Sequence, residues 1–340
     1  MEDTLNVLVL VDFSDAIMEH LKAVSPRLKF TRKTIKSLSE IPPEVLATVD
    51  ILYTNLLVPE PDTVPRLRWI QSHSAGVESL LAQPLLAAED IIITTTSGMH
   101  ATTMAELTFA MILALARKLP LMLRYQQKAE WPADRFSVLL PRELRGSTLG
   151  ILGYGSLGRE LARVAQVFGM RILATKRDVM RPAVVNEYLE PGTGDPEGTL
   201  VERLYPSEAT RSMVALCDFV VITLPLTAKT RGLVNQDVLS AMKNTAVLIN
   251  VGRGGLVDEE ALIKALQSGQ IAGAGLDVFA QEPLPSSSPL WKLDNVIISP
   301  HIAGNTDHYN ESAAEVFAQN LDRYLNNRDL LNRVDRKREY

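Results

Sequence analysis

The sequence predicts an α/β protein built of two doubly wound parallel-sheet domains, one inserted into the other. Three observations predict it. Short continuous apolar runs, of the kind buried on both faces of a parallel sheet, alternate with helical stretches along most of the chain. One such run, Gly150-Ile151-Leu152, leads into Gly153-Tyr154-Gly155-Ser156-Leu157-Gly158 and then into a helix with Leu161, Val164, Ala165 and Phe168 on one face. The 340 residues correspond to roughly two domains, each able to bury its own core.

In the first hundred residues the runs are Val7 to Val11, Ile51-Leu52-Tyr53, Leu67 to Ile70 and Ile91-Ile92-Ile93. A helical stretch near Ala16 to Val24, Pro42-Pro43 opening a second and Gly76-Val77 opening a third complete a small unit. Strand ends in such sheets form binding crevices, and two are equipped with polar groups. They are Thr54-Asn55-Leu56-Leu57 and Ser72-His73-Ser74-Ala75-Gly76. The second suits capture of a carboxylate by backbone N–H groups, or equally a plain helix cap at Ser74.

Ser97-Gly98 breaks the pattern. A long apolar helix is expected from Ala105 to Lys118, capped by Thr102 or Thr103 with Glu106 in a capping box. Pro120 to Pro141, with Trp131-Pro132, Arg135 and Phe136, shows no clear period and is expected to be irregular. A surface loop and an arm embracing a second subunit are the two readings of it.

The glycine stretch carries the first chemical signal. Strand, GxGxxG, helix and then the strand Arg171 to Thr175 form the context of a dinucleotide fingerprint. Gly153 permits a tight turn, Gly155 close approach of a pyrophosphate, and Gly158 close packing of helix on strand. The helix N-terminus, with Ser156 and Leu157, offers N–H groups to phosphate. At the end of the second strand, where an acid commonly binds the ribose of NAD, stand Thr175, Lys176 and Arg177. A hydroxyl and two cations suit a 2′-phosphate, which points to NADP in preference to NAD. Asp178 is the acid that would serve NAD instead.

Asp178 to Arg211 is rich in Pro, Gly and Glu and reads as a surface insertion. Strands then resume at Asp218 to Thr223, Val247 to Val251, Ile271 to Val278 and Val296 to Ile298, for six in this domain. A helix from Asp258 to Gln267 stops at Gly269, and Ala313, Phe317, Leu321 and Leu325 mark a final one. The expected division is residues 1–101 with 302–340 as one domain and 102–301 as the other. Hinges fall near Met99 to Thr102 and Pro300 to Gly304.

Bulk composition narrows the classes. A net charge of −5 gives no field for nucleic acid or an anionic membrane. The single Cys217 excludes an intrachain disulfide framework and a cysteine zinc site, and no metal is expected. Met1-Glu2-Asp3 is acidic where a signal peptide would be basic. The apolar run Leu107 to Ala116 is half a membrane span. A cytoplasmic location is the expectation.

Arg253, Glu282 and His301 each follow a strand of the second sheet, on the side of the glycine loop. Together they suit hydride reduction of a carbonyl beside a carboxylate. Arg253 would bind the carboxylate and polarise the carbonyl oxygen. His301, protonated, would donate to that oxygen, and Glu282 would favour the protonated ring through its other nitrogen. Singly, each is as well read as a solvated turn, a surface glutamate and a structural ring.

These blocks resemble the D-isomer-specific 2-hydroxyacid dehydrogenases, the family of glyoxylate/hydroxypyruvate reductases and phosphoglycerate dehydrogenases. The matches are Gly153 to Gly158, Asn250-Val-Gly-Arg253-Gly-Gly-Leu-Val-Asp258, Gly275-Leu-Asp277-Val-Phe with Glu282-Pro-Leu, and Ser299-Pro-His301-Ile-Ala-Gly304. The resemblance implies a Rossmann cofactor domain inserted into a smaller flavodoxin-like substrate domain. It also implies the three roles just argued. It adds Asp277 near the nicotinamide carboxamide, with Leu224, Pro225, Val251 and Gly304 along the cofactor. Backbone at Ala75 and Gly76 would hold the substrate carboxylate, beside Arg253 and His301. A homodimer is implied as well. Lys176-Arg177 matches the NADP-using reductases, and Glu282 stands where formate dehydrogenases carry glutamine. Two functions remain open on this scaffold: a reductase of a small 2-oxo acid such as glyoxylate or hydroxypyruvate, and a nucleotide-sensing binding protein like the corepressors built on it.

Overall fold

The computed structural model describes residues 4–81, 83–87 and 90–340; the acidic Met1-Glu2-Asp3 start lies outside the described residues. Two compact units are present. The first comprises the chain up to Met99, Val185–Glu190 and Thr306–Tyr340, and the second comprises His100–Val184 and Pro191–Asn305.

The first unit holds β1 (Leu5–Val9), β2 (Leu28–Arg32), β3 (Ile51–Thr54), β4 (Trp69–Ser72) and β5 (Ile92–Thr94). They form a parallel sheet in the order β2-β1-β3-β4-β5, the flavodoxin-like winding. Strands β3 and β4 are buried along their whole length: Ile51-Leu52-Tyr53 and Trp69-Ile70 are apolar, and the buried Gln71 that follows accepts from the Thr94 hydroxyl and the Asn320 amide. The Tyr309–Leu325 helix belongs to this unit and shares its core through Ala314, Phe317 and Leu321. Phe317 packs 4.8 Å from the Tyr53 ring and 5.4 Å from Trp69, a separation at which aromatic edges and faces attract.

The second unit holds β6 (Thr148–Leu152), β7 (Arg171–Thr175), β8 (Arg203–Tyr205), β9 (Phe219–Ile222), β10 (Val247–Asn250), β11 (Gly273–Leu276) and β12 (Val296–Ile298). Their order is β12-β11-β10-β9-β6-β7-β8, all parallel. The chain reverses direction across the sheet between β6 and β9, the switch point where such sheets open a crevice. Thr175, Leu152, Ile222, Asn250, Leu276 and Ile298 are in register across six strands, so whatever follows them emerges along one edge.

Several expectations need correction. The second sheet has seven strands rather than six, because the stretch read as a surface insertion contains β8. The first sheet contains β2, which no apolar run announced: it is an edge strand with three of its five residues exposed. The long helix runs from Ala101 to Ala116 and starts earlier than Ala105. His100 occupies its N-cap position without a side-chain cap, and the Thr103 hydroxyl donates to the His100 carbonyl instead of accepting. The Met104 N–H closes the first turn on that same carbonyl. Finally, the 120–141 segment is largely helical, with helices Leu119–Gln127 and Arg135–Val138.

The Asp178–Arg211 stretch is also more than a surface loop. Asp195 is buried and accepts from the Tyr154 hydroxyl at 2.5 Å and from the Thr199 and Leu200 N–H groups at 3.0 Å. Burial pushes its carboxyl up, but these donors and the Arg159 guanidinium outweigh that and hold it below the ordinary range. Arg159, fully buried on the helix that follows the glycine loop, donates to the Asp195 and Pro182 carbonyls. In the first unit, Asn332 accepts from the Tyr188 N–H and donates its own N–H to the Asn186 carbonyl. Polar anchors on distant elements explain why a Pro- and Gly-rich composition nevertheless packs.

Candidate active site

At the glycine loop each residue has a physical reason. Gly153 has φ +109°, a conformation closed to side chains, and its carbonyl accepts from the Thr223 hydroxyl at 2.6 Å. A Cβ on Gly158 would strike the Gly153 carbonyl, so helix and loop can meet only without one. A Cβ on Gly155 would meet nothing within 4 Å, leaving open space above the N-terminus of the Ser156–Val167 helix. That combination fits a dinucleotide pyrophosphate. Leu224 packs against Gly153, Pro225 is partly buried beside it, and Val251 is buried.

The residues past β7 divide into two kinds. Thr175 is only 2% exposed and its hydroxyl accepts from the Gly153 N–H at 3.1 Å, so it shapes the loop from inside. Lys176 is partly buried and Arg177 exposed. Asp178, the acid that could have replaced them, accepts from the Met180 N–H and lies 3.6 Å from Arg181.

Arg253, Glu282 and His301 lie beyond β10, β11 and β12. Asn250, the last residue of β10, fixes the arginine's turn: its amide donates to the Arg253 carbonyl at 3.0 Å and accepts from the Gly252 N–H at 3.1 Å. A Cβ on Gly254 would overlap the Phe279 backbone, so the Arg253 loop and the Phe279–Glu282 loop touch main chain to main chain. Glu282 is held there by the Phe279 N–H at 3.0 Å, and its other oxygen lies 2.7 Å from His301 Nδ1. Burial pushes the Glu282 carboxyl up. The hydrogen bond and charge of His301, the Phe279 N–H and the Arg253 charge together outweigh burial and hold it low. The His301 side chain is 50% exposed, within reach of a ligand.

Asp277 does something the sequence reading did not assign. It is 1% exposed, and its carboxylate accepts from the Ser299 hydroxyl at 2.5 Å and from the Ile302 and Ala303 N–H groups at 3.0 Å. Its carbonyl takes the His301 N–H at 2.8 Å. The acid is thus the hub of the turn that carries the histidine. His301 itself sits at φ +53°, a left-handed conformation that costs a non-glycine residue about 1 kcal/mol and persists because the surrounding bonds dictate it.

In the first unit, Ala75 and Gly76 follow β4 and are partly buried. Ser74 is not a helix cap: its hydroxyl donates to the Gly76 carbonyl at 2.9 Å, and the short helix begins only at Glu78. The neighbouring His73 accepts the Tyr309 hydroxyl at its carbonyl and pairs its Nδ1 with the Tyr53 hydroxyl at 2.8 Å.

Beyond Asp277's role as a hub, the sequence reading missed Ser299, Thr223 and His100. Ser299 and Thr223 share a signal, a hydroxyl residue directly after an apolar strand on the crevice edge. His100 gave none. Its ring Nδ1 meets the carbonyl of Gly304, far away in sequence, at 3.1 Å.

A glycine loop shaped for pyrophosphate and a histidine–carboxylate pair beside an arginine, on one edge of a doubly wound sheet, define a dinucleotide-dependent oxidoreductase. Residues 109–303 match the family model for the D-isomer specific 2-hydroxyacid dehydrogenase, NAD binding domain. The chain is 36% identical over 264 residues to a glyoxylate reductase of Korarchaeum cryptofilum, covering 76% of this chain and 74% of that one. A solved D-isomer specific 2-hydroxyacid dehydrogenase of Xanthobacter autotrophicus, in complex with NADPH and MES, is similar with a TM-score of 0.80 and 31% identity. The match covers 99% of this chain and 100% of that one. An NADPH-dependent glyoxylate/hydroxypyruvate reductase of Sinorhizobium meliloti, in complex with NADP and sulfate, gives 0.75 at 25%, over 99% and 100% of the two chains. The chain belongs to the D-isomer specific 2-hydroxyacid dehydrogenase family, and is an NAD(P)-dependent oxidoreductase. Among the described residues no helix is long and apolar enough to cross a membrane.

Proposed function

We propose that the protein reduces a small 2-oxo acid, of the glyoxylate or hydroxypyruvate type, to the D-2-hydroxy acid with NADPH. The observation that carries this is the 2.7 Å contact of His301 Nδ1 with Glu282, on the sheet edge that also bears the Arg253 turn and the glycine loop. Bound NADPH supplies the hydride. Arg253 binds the substrate carboxylate and polarises its carbonyl. Glu282 accepts from Nδ1, which leaves the Nε2 proton of the charged ring to be donated to the carbonyl oxygen as the alcohol forms. The test is loss of NADPH absorbance with glyoxylate. Tight NADPH binding without turnover on any of a panel of 2-oxo acids would leave the nucleotide-sensing reading instead.

The cofactor preference rests on Lys176 and Arg177. Each charge-assisted hydrogen bond to a 2′-phosphate contributes about 1.5–3 kcal/mol. Lys176→Asp combined with Arg177→Ala should therefore lower the NADPH-over-NADH ratio of kcat/KM at least about tenfold. An unchanged ratio would remove these two residues from the site.

A homodimer is part of the same proposal. Trp131, Phe136 and Leu140 are 83%, 79% and 67% exposed within the 120–141 segment, an apolar group that a monomer would leave in water. Sedimentation at micromolar concentration should give twice the mass of one chain. A monomer there would exclude the embracing arm.

A further inference from the structure

The turn that carries His301 is tied down at its near end by Asp277. Its far end lies at Gly304, where the Asn305 N–H closes on the Ile302 carbonyl and the Gly304 carbonyl itself meets a side chain from another part of the chain. His100, the first residue of the second unit, places its ring Nδ1 3.1 Å from the Gly304 carbonyl oxygen. A carbonyl oxygen only accepts, so Nδ1 carries the hydrogen and donates it. A Cβ on Gly304 would come within 3.3 Å of the ring's Cγ and Nδ1, a crowding that glycine avoids. Gly304 is next to the last residue of the unit before the chain leaves it, and His100 is where the chain enters, so one hydrogen bond pins both points.

We propose that His100 is a positioning residue for the reaction: as a neutral Nδ1–H donor it holds the Gly304 end of the His301 turn, while Asp277 holds the other. Three independent facts meet in this assignment. The Asp277 carboxylate reaches only as far as the Ala303 N–H, and within the turn the next peptide is held by the Asn305 N–H on the Ile302 carbonyl at 2.9 Å, which leaves the Gly304 carbonyl to a donor from outside the turn. His301 is in a left-handed conformation that does not hold itself. Burial lowers the affinity of the His100 ring for a second proton; the Gly304 bond acts the other way, and the nearby Arg253 charge lowers it further. The net direction is down, so the ring is neutral at physiological pH and its single hydrogen is the one given to Gly304. A charged ring here would set a second cation near the arginine that we assign to the substrate carboxylate. The inference rests on the reading of His301 as proton donor, since a turn without chemistry would have no rate to lose.

Two variants separate the donor from the ring. Asparagine carries an N–H at nearly the place of Nδ1, and phenylalanine keeps a flat ring without one. His100→Phe should lower kcat about tenfold, less than the ~10²-fold of a full 1 Å displacement because Asp277 still holds the near end of the turn, with the KM for NADPH within about twofold of wild type. His100→Asn should recover kcat to within about threefold of wild type. A wild-type rate for His100→Phe, or an asparagine variant as slow as the phenylalanine one, would overturn the assignment. The nitrogen-15 spectrum of the wild-type histidines provides a readout that needs neither activity nor the folding of His100→Phe. Among the chain's five histidines, the signal missing from His100→Asn should be a neutral ring protonated on Nδ1 near neutral pH. A ring protonated on Nε2 alone would refute the donor. That spectrum is unaffected if His301→Ala proves active, so failure here and failure of the proton-donor reading are distinguishable.

Discussion

Replacing His301 by alanine should lower kcat for 2-oxo acid reduction by ~10²–10⁴, the range lost when a positioned general acid is removed. NADPH binding should change little, because the glycine loop and the Lys176-Arg177 strand end stand apart from the ring in sequence and on different strands. The control is the pH profile. Reduction by the wild type should slow as the ring loses its proton on the alkaline side, and the alanine variant should have lost that dependence. A wild-type rate that stays flat between about pH 6 and 10, or an alanine variant within about tenfold of wild type, would show that the proton comes from elsewhere.

Glu282 gives the acid side of the same pair, with the opposite sign. Its folded pKa is depressed, so its contact with His301 contributes to stability above the ordinary glutamate value of about 4.3 and is lost as pH falls through the lower folded value. The side chains are substantially exposed, so solvent screening keeps that contribution small. Glu282→Gln should accordingly lower the Tm slightly at pH 7, with the difference from wild type closing in strong acid. A gap that widens on acidification would mean that the carboxyl is protonated in the fold.

What could be read without coordinates follows from burial. Thr148–Leu152, Phe219–Ile222 and Val247–Asn250 are buried at every position, so each strand is apolar but for a polar residue at an end, Thr148 in the first and Asn250 in the last. Leu28–Arg32 and Arg203–Tyr205 are edge strands with a wet face, and their composition is that of a loop. Arg253, Glu282 and His301 were legible because a parallel sheet delivers strand ends to one side, a rule that needs no distances. The partners that hold them were not. Asn250 to the Arg253 turn, Asp277 to Ile302 and Ala303, and His100 to Gly304 are pairings fixed by folded backbone geometry. The Asp178–Arg211 stretch was misjudged for a related reason. A Pro-, Gly- and Glu-rich segment is solvated unless something buried pairs with its polar groups, and the donors that do so here, Arg159 and Tyr154, lie in the preceding glycine-loop block.

The second large effect should come from Asp277, which touches no reacting atom in the scheme proposed above. Asp277→Ala would leave the Ile302 and Ala303 N–H groups and the Ser299 hydroxyl facing a cavity in a buried site. Each unsatisfied buried donor costs about 1–3 kcal/mol, so the variant should lose roughly 3–5 kcal/mol of stability, with partial relaxation taking up the rest. The turn would no longer have reason to keep His301 left-handed, and a displacement of about 1 Å at a catalytic group lowers rates about 10²-fold. Asp277→Asn separates the two consequences. It preserves the side chain's volume and one acceptor oxygen, but must turn an N–H₂ group toward a main-chain N–H, of Ile302 in one orientation and of Ala303 in the other. It should therefore be more stable than the alanine variant while kcat stays well below wild type. If both variants melt early but turn over 2-oxo acid at the wild-type rate at low temperature, Asp277 holds the fold together without aiming the histidine.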